Sequence, residues 1–398
     1  MFKLIFRSKK TPVYLSSVKK RKKNTFFFSF IRKFLMMDSP VYYDQNGGQD
    51  DVDDNHMYNS GSAGTMGSAK NEEETENEDP NKKKGIPVIT TPSHFVREMT
   101  HGGEWYPTDQ TLENWMKAAF YYAPCEESEK ENLVGIIAPH SCYSVCLKTA
   151  AKAYARIDPC AFDSVIILGT CHNLALPACL ISMASEVKTP FGNLTVDTNL
   201  CQQLVDTDPS LFSYMTEEVD NAEHSLEMQY PLIKYVFGDL PINIVPILVG
   251  SLNDEREQKI TQILKPFIVR EKNLFIISSD FTHWGELFRF TNFASMRKPL
   301  SHQPQLFDEK AMNIISGFNY EHFKFHIEEI KGSICGCYAI CLILHILHKG
   351  YKAEKIDRTQ LCQILCSTDF SISYMAVAFR VNTEAQEEEE DFNEDYIA

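Results

Sequence analysis

The first 36 residues of this 398-residue chain contain no acid, and the first 124 contain no cysteine. Nowhere does a GxGxxG or GxxxxGK[ST] loop occur, so the backbone cradles that hold dinucleotides and nucleoside triphosphates are missing. The N-terminus also lacks the apolar core of roughly 7–15 residues and the small cleavage residues of a secretory signal. No transmembrane segment is expected, because the nearest apolar run, residues 26–37, is short and interrupted by Arg32 and Lys33. Positive charge is in short supply, with 39 Lys+Arg against 54 Asp+Glu for a net −15. That balance argues against a general nucleic-acid binder, whose affinity rests on cations meeting phosphates. Apolar residues are not scarce. At 43% hydrophobic the chain has material for a sizeable core, which excludes disorder throughout.

The charge is segregated. Residues 1–36 hold 11 Lys/Arg, residues 37–84 hold 12 acids against 4 Lys, and residues 383–398 hold 8 acids and no base. The remainder, 85–382, carries 34 acids and 24 bases, an ordinary balance for a globular domain. This pattern predicts one folded domain over 85–382, between a basic-then-acidic disordered extension (1–84) and an acidic disordered tail (383–398). All twelve cysteines lie inside that domain, from Cys125 to Cys366. Scattered through a core-forming segment, they read as free thiols in a reducing cell. The leader, centred on Lys19-Lys20-Arg21-Lys22-Lys23, admits three readings. It is a mitochondrial presequence, though Lys-rich where such peptides favour Arg, or a nuclear-import or membrane-surface patch. The third reading is a translated extension upstream of a start at Met36 or Met37.

Short apolar runs of strand length mark the domain, each ending in polar punctuation: 133–138, 164–168, 242–249 and 274–278. Helical stretches are expected at 143–157, 225–236, 254–269, 304–316 and 333–348, and two closing strands at 358–366 and 373–381. Alternating strand and helix predicts an α/β domain with a mostly parallel central sheet covered on both faces.

Open α/β sheets bind ligands at the carboxyl ends of their strands. Three runs here deliver a histidine to that end: His140, His172 and His283, with Asp280 in the same loop as His283. A lone buried histidine is usually a satisfied core residue. Three converging imidazoles suit a metal ion, and a nearby carboxylate can bind the metal or orient a histidine. His224 and Glu227, three residues apart, would share a helix face. They read either as acid/base or supporting groups at the rim of the site, or as the first turn of a helix whose dipole favours acids. Cys335 opens a long apolar helix, where a lowered thiol pKa would favour a thiolate; the plain alternative is a small buried residue.

Assembled in order, these residues resemble the Memo family (mediator of ErbB2-driven cell motility). The resemblance is carried by Val96-Arg97-Glu98, His101-x-Gly-x-Trp105-Tyr106, and Ile137-Ala138-Pro139-His140 with Tyr143. It continues through Leu168-Gly169, His172 and Thr189-Pro190. Glu223-His224-Ser225-Leu226-Glu227-Met228, Pro246-Ile247-Leu248-Val249-Gly250, Ser278-Ser279-Asp280-Phe281, His283-Trp284-Gly285 and Ile334-Cys335-Gly336 complete it. It implies a single three-layer αβα domain similar to class III extradiol dioxygenases. It also implies one mononuclear iron or copper site on His140, His172 and Cys335, in a pocket lined by Asp280, His283, His224, Glu227, Trp105 and Tyr143. The role it implies is cytosolic signalling, relaying receptor tyrosine kinases to the cytoskeleton and motility through phosphotyrosine peptides; nuclear presence is a further reading of the leader. The alternative is a metal-dependent redox enzyme. This chain departs from the family pattern at Ser141-Cys142, Val145 and Cys337-Tyr338. These remove an arginine and an aromatic suited to phosphotyrosine but spare the inferred metal ligands.

Overall fold

The computed structural model describes residues 94–383 except 270, 271, 294, 296 and 349. The expected extension (1–84) and nearly all of the expected tail lie outside those residues. In chain order the elements begin with β1 (Phe95–Arg97), α1 (Gln110–Tyr121), β2 (Leu133–Ala138), α2 (Tyr143–Tyr154) and β3 (Ser164–Thr170). Then come β4 (Cys179–Ile181), β5 (Ala184–Val187), β6 (Leu194–Val196), α3 (Thr198–Thr207) and β7 (Phe212–Tyr214). Three short helices follow, α4 (Glu217–Ala222), α5 (His224–Glu227) and α6 (Tyr230–Phe237), then β8 (Asn243–Val249) and α7 (Asp254–Ile268). The chain continues with β9 (Asn273–Ser278), β10 (His283–Trp284), α8 (Gln303–Ser316), α9 (Tyr320–Glu329) and α10 (Cys337–Ile346). It closes with β11 (Tyr351–Gln360) and β12 (Ser371–Val381).

The strands join one sheet with the backbone order β1-β5-β6-β8-β3-β9-β2-β12-β10; β11 pairs β12, and β4 and β7 branch from β8. The four apolar runs are its centre. β8, β3, β9 and β2 are mutually parallel in that order, so their carboxyl ends rise together on one side. β12 runs antiparallel to both β2 and β11, which makes the sheet mixed. Every residue of β9 is buried, the signature of a strand covered on both faces. α2 packs on β2, β11 and β12 beside α1 and α6, while α7, α8, α9 and α10 form a second group touching β3, β9, β11 and β12.

The main expected strands match to within two residues, but the last pair shifts. β11 begins at Tyr351, well before the expected residue 358. It is a charged outer strand paired on one side, so it lacks the apolar run that marks an inner one. The expected helix at 225–236 is two helices, α5 and α6, with Gln229 as the N-cap of α6 and Pro231 in its first turn. Pro has no N–H to offer a helix interior but fits the first turn. α1 was not anticipated, although Leu112, Met116 and Ala119 are buried at helical spacing behind a capping Asp109, whose side chain accepts from Thr111 N. No helix among the described residues is long and apolar enough to cross a membrane.

Candidate metal centre

β2 and β3 flank β9 in the sheet, so His140 after β2 and His172 after β3 reach the same crevice from either side of it. Cys335 arrives from the turn before α10. The ring centroids of His140 and His172 are 5.2 Å apart, and the donor atoms of His140, His172 and Cys335 all lie within 4.8 Å of one another. His140 is buried and His172 and Cys335 are half-buried, while Nε2 of both imidazoles is itself buried.

The expected helix start at 333 is corrected: α10 begins at Cys337 with Gly336 as its cap. Cys335 precedes the helix because its turn is bonded to the strand-end loop instead. Cys335 N–H donates to Asp280 O (3.3 Å), and Gly336 N–H donates to Ser279 Oγ (2.9 Å). A side chain at Gly336 would meet Ser279 Cβ at 2.5 Å, so the close approach needs glycine. Asp280 is a clamp in this arrangement. Its two carboxylate oxygens accept from His140 N–H (2.9 Å) and Ser141 Oγ–H (2.5 Å).

Proton accounting fixes how the imidazoles are presented. Ser278 Oγ donates its one proton to Ser225 O (2.5 Å) and accepts from Gln229 Nε2 (2.8 Å). It can therefore only accept from His140 Nδ1 at 3.0 Å, which places a proton on His140 Nδ1 and leaves the buried Nε2 to face the cluster. His172 Nδ1 lies 2.7 Å from Glu223 Oε1. Burial by itself would push the Glu223 carboxyl up, but the His172 ring and the hydrogen bonds from His172 and Ser225 bring it below its ordinary value. It is a carboxylate, an acceptor only, so the His172 proton too is on Nδ1. His283 Nδ1 donates to Phe281 O (2.8 Å) and Ser333 O (3.0 Å), and its Nε2 stands 3.7 Å from Cys335 Sγ. Burial would raise the Cys335 thiol, yet neighbouring His283 and the hydrogen bonds of His140, His172 and His283 hold it well below the ordinary thiol value. In the metal-free protein the imidazoles and the thiol share protons across the cluster; nitrogen and sulfur gathered at one point form a donor set that a metal cation satisfies by displacing those protons.

The remaining expected residues divide. His224 stacks on His172 at 4.3 Å with the planes 20° apart, and Trp105 covers His224 at 4.5 Å. Burial, and then the neighbouring imidazoles, push His224 far below the usual histidine value, keeping it neutral. Tyr143 is buried beside Tyr106, its hydroxyl donating to Met228 O (2.7 Å) and its ring 5.4 Å from Tyr106. Glu227 belongs to a different network. Its carboxylate accepts from Arg97 Nη1 (2.7 Å), His101 N (2.8 Å), His101 Nδ1 (2.8 Å) and Tyr106 Oη (2.9 Å), and shares the single Thr100 Oγ1 proton (2.9 Å) with Asn221 O (2.6 Å). Arg97 also pairs with buried Asp220 at 2.8 Å. Sequence reasoning missed Glu223, Ser278 and Gln229 as partners of the imidazoles. Glu223 did carry a signal, an acid directly before His224, but nothing local shows that it faces His172.

Comparison with known proteins agrees with this architecture. The Memo family model, described as Memo-like protein, matches residues 97–378. A MEMO1 family protein of Schizosaccharomyces pombe is 33% identical over 71% of this chain and 98% of its own length. A memo-1 homolog of Caenorhabditis elegans is 33% identical over 70% of this chain and 81% of its own. The MEMO1 protein of Xenopus laevis is 30% identical over 72% of this chain and 98% of its own. With its folded part matched from β1 into β12, the chain belongs to the Memo family.

Proposed function

We propose that this chain is a metal-binding Memo protein that holds one iron or copper ion on His140, His172 and Cys335, and that it serves cytosolic signalling between receptor tyrosine kinases and the cytoskeleton. The observation that carries the metal reading is the convergence of the donor atoms of His140, His172 and Cys335 within 4.8 Å of one another, with Nδ1 of both imidazoles hydrogen-bonded elsewhere. A bound ion of this kind would supply Lewis acidity or one-electron redox chemistry. The chain's own part is to fix the tautomers, keep the thiol ionised and hold Trp105 and His224 against the donors. The signalling part rests on family membership. Metal binding carries over better than phosphopeptide recognition, because Cys337 and Tyr338 occupy positions where the family pattern has an arginine and a histidine, and Arg97 is committed to Asp220 and Glu227.

A second reading is a redox enzyme of non-haem dioxygenase type, supported by the same nitrogen and sulfur donor set. Cys335 in place of a carboxylate weighs against ordinary ring-cleaving chemistry. Anaerobic reconstitution of the full chain with Fe(II) or Cu(I), followed by metal analysis, is expected to give one ion per chain. In the His140→Ala, Cys335→Ser double variant that ion is lost; unchanged metal content would refute the ligand assignment. Oxygen uptake by the loaded protein that requires both metal and a catechol would shift the conclusion to the enzyme.

A further inference from the structure

We propose that Glu223 is a positioning residue that selects the His172 tautomer and so presents its Nε2 lone pair to the cluster; this rests on the metal-binding reading above. Glu223 is almost fully buried and its carboxylate is divided between two tasks. Oε2 accepts from His172 N–H (2.9 Å), which latches the loop after β3. Oε1 accepts from His172 Nδ1 (2.7 Å) and from Ser225 N (3.0 Å). The plain reading is a helix cap, since Glu223 precedes α5 and the bond to Ser225 N is a capping bond. A cap needs one oxygen and one N–H. It does not require the shorter bond to an imidazole 51 residues away in sequence.

The isosteric amide separates the two roles. Gln in place of Glu223 has one accepting oxygen and one donating NH2. With its oxygen toward Nδ1, the NH2 faces His172 N–H, donor against donor, and the latch opens. With its NH2 toward Nδ1, the ring must accept there and carry its proton on Nε2, where it blocks the cluster. The same logic makes the amide replacement of a triad aspartate misplace the proton of its histidine. Either orientation weakens a cation held on Nε2, whereas capping of Ser225 survives in the first.

The test uses the full-length protein. Nitrogen-15 NMR of the metal-free histidines, with His172 assigned through His172→Gln, reads the tautomer directly. Anaerobic titration with Fe(II) and with Cu(I) reads affinity. The wild type is expected to show His172 as the Nδ1–H tautomer. Glu223→Gln is expected to gain Nε2–H and to bind either metal about 10- to 100-fold more weakly. An Nε2–H tautomer in the wild type, or wild-type affinity in Glu223→Gln, overturns the proposal. If the variant does not fold, the wild-type spectrum decides. A wild type that takes neither metal would end the metal-binding reading, and the tautomer would still judge Glu223.

Discussion

Two buried polar networks lie side by side in this molecule, and they differ in how their protons add up. Around Arg97 the accounts balance. The guanidinium donates to Asp220, Glu98 O, Glu223 O and Glu227, and Glu227 spends both oxygens on four donors and a share of the Thr100 proton. Around Cys335 they do not. The Nδ1 protons of His140, His172 and His283 point outward, and on the Nε2 side nitrogen and sulfur atoms crowd together around protons that a cation would displace. A saturated network rigidifies the fold, whereas one with surplus acceptors is a place for a cation. Thr100, His101 and Trp105 link the two, since Glu227 fixes the segment that lays Trp105 over His224.

The largest effect expected from breaking this contrast comes from Arg97→Met. Removing the cation strands Asp220 and Glu227 in the interior, and urea unfolding should show a loss of about 3 to 5 kcal/mol. The fraction that remains folded should take metal at the wild-type stoichiometry; a fully stable variant that fails to bind would place Arg97 in the site and erase the distinction. Next comes acid. Burial alone would raise the Glu227 carboxyl, but His101 and Arg97 bring it down to about 2. A carboxyl lowered on folding stabilises above its unfolded value of 4.5 and loses that contribution as the pH falls toward 2. Stability of the wild type should therefore decline with acidification across this window, on the order of 3 kcal/mol from this group. Glu227→Gln should flatten that part of the curve, and an unaltered slope would show that the carboxylate is not held as described. The smallest effect belongs to a residue outside both networks. Asp109→Ala removes the α1 cap and should lower stability slightly in the same unfolding assay, with metal content unchanged.

The same contrast explains what could be read from the sequence. β2, β3, β8 and β9 are legible because inner parallel strands are continuous apolar runs, and their punctuation delivers His140, His172 and His283 to one end. β4, β6 and β7, three residues each, are too short to show a period, and charged β11 hides its pairing. Asp280 was visible beside His283, but that it braces the His140 loop depends on β9 lying next to β2. Glu227 was visible as a partner of His224 on one helix face, and it turns instead to Arg97, which lies 130 residues away. Spacing alone does not separate Cys335 from the other cysteines; the family resemblance does, and the meeting of three loops shows its neighbours. Side chains that a strand end aims are predictable from local pattern; the groups that orient them come from distant parts of the chain.

The position of β9 has a further consequence for the order of events in the cell. β9 is made after β2 and β3 yet must insert between them, and Cys335 follows later still. A nascent chain that has exposed His140 and His172 holds neither in place until β9 has threaded the gap, and the thiolate is then still to come. Non-local pairing of this sort is slow to form. On the proposed metal reading, a metal-capture signal followed during refolding would thus appear only after β9 has joined β2 and β3, making it a clock for the assembly of the centre of the sheet.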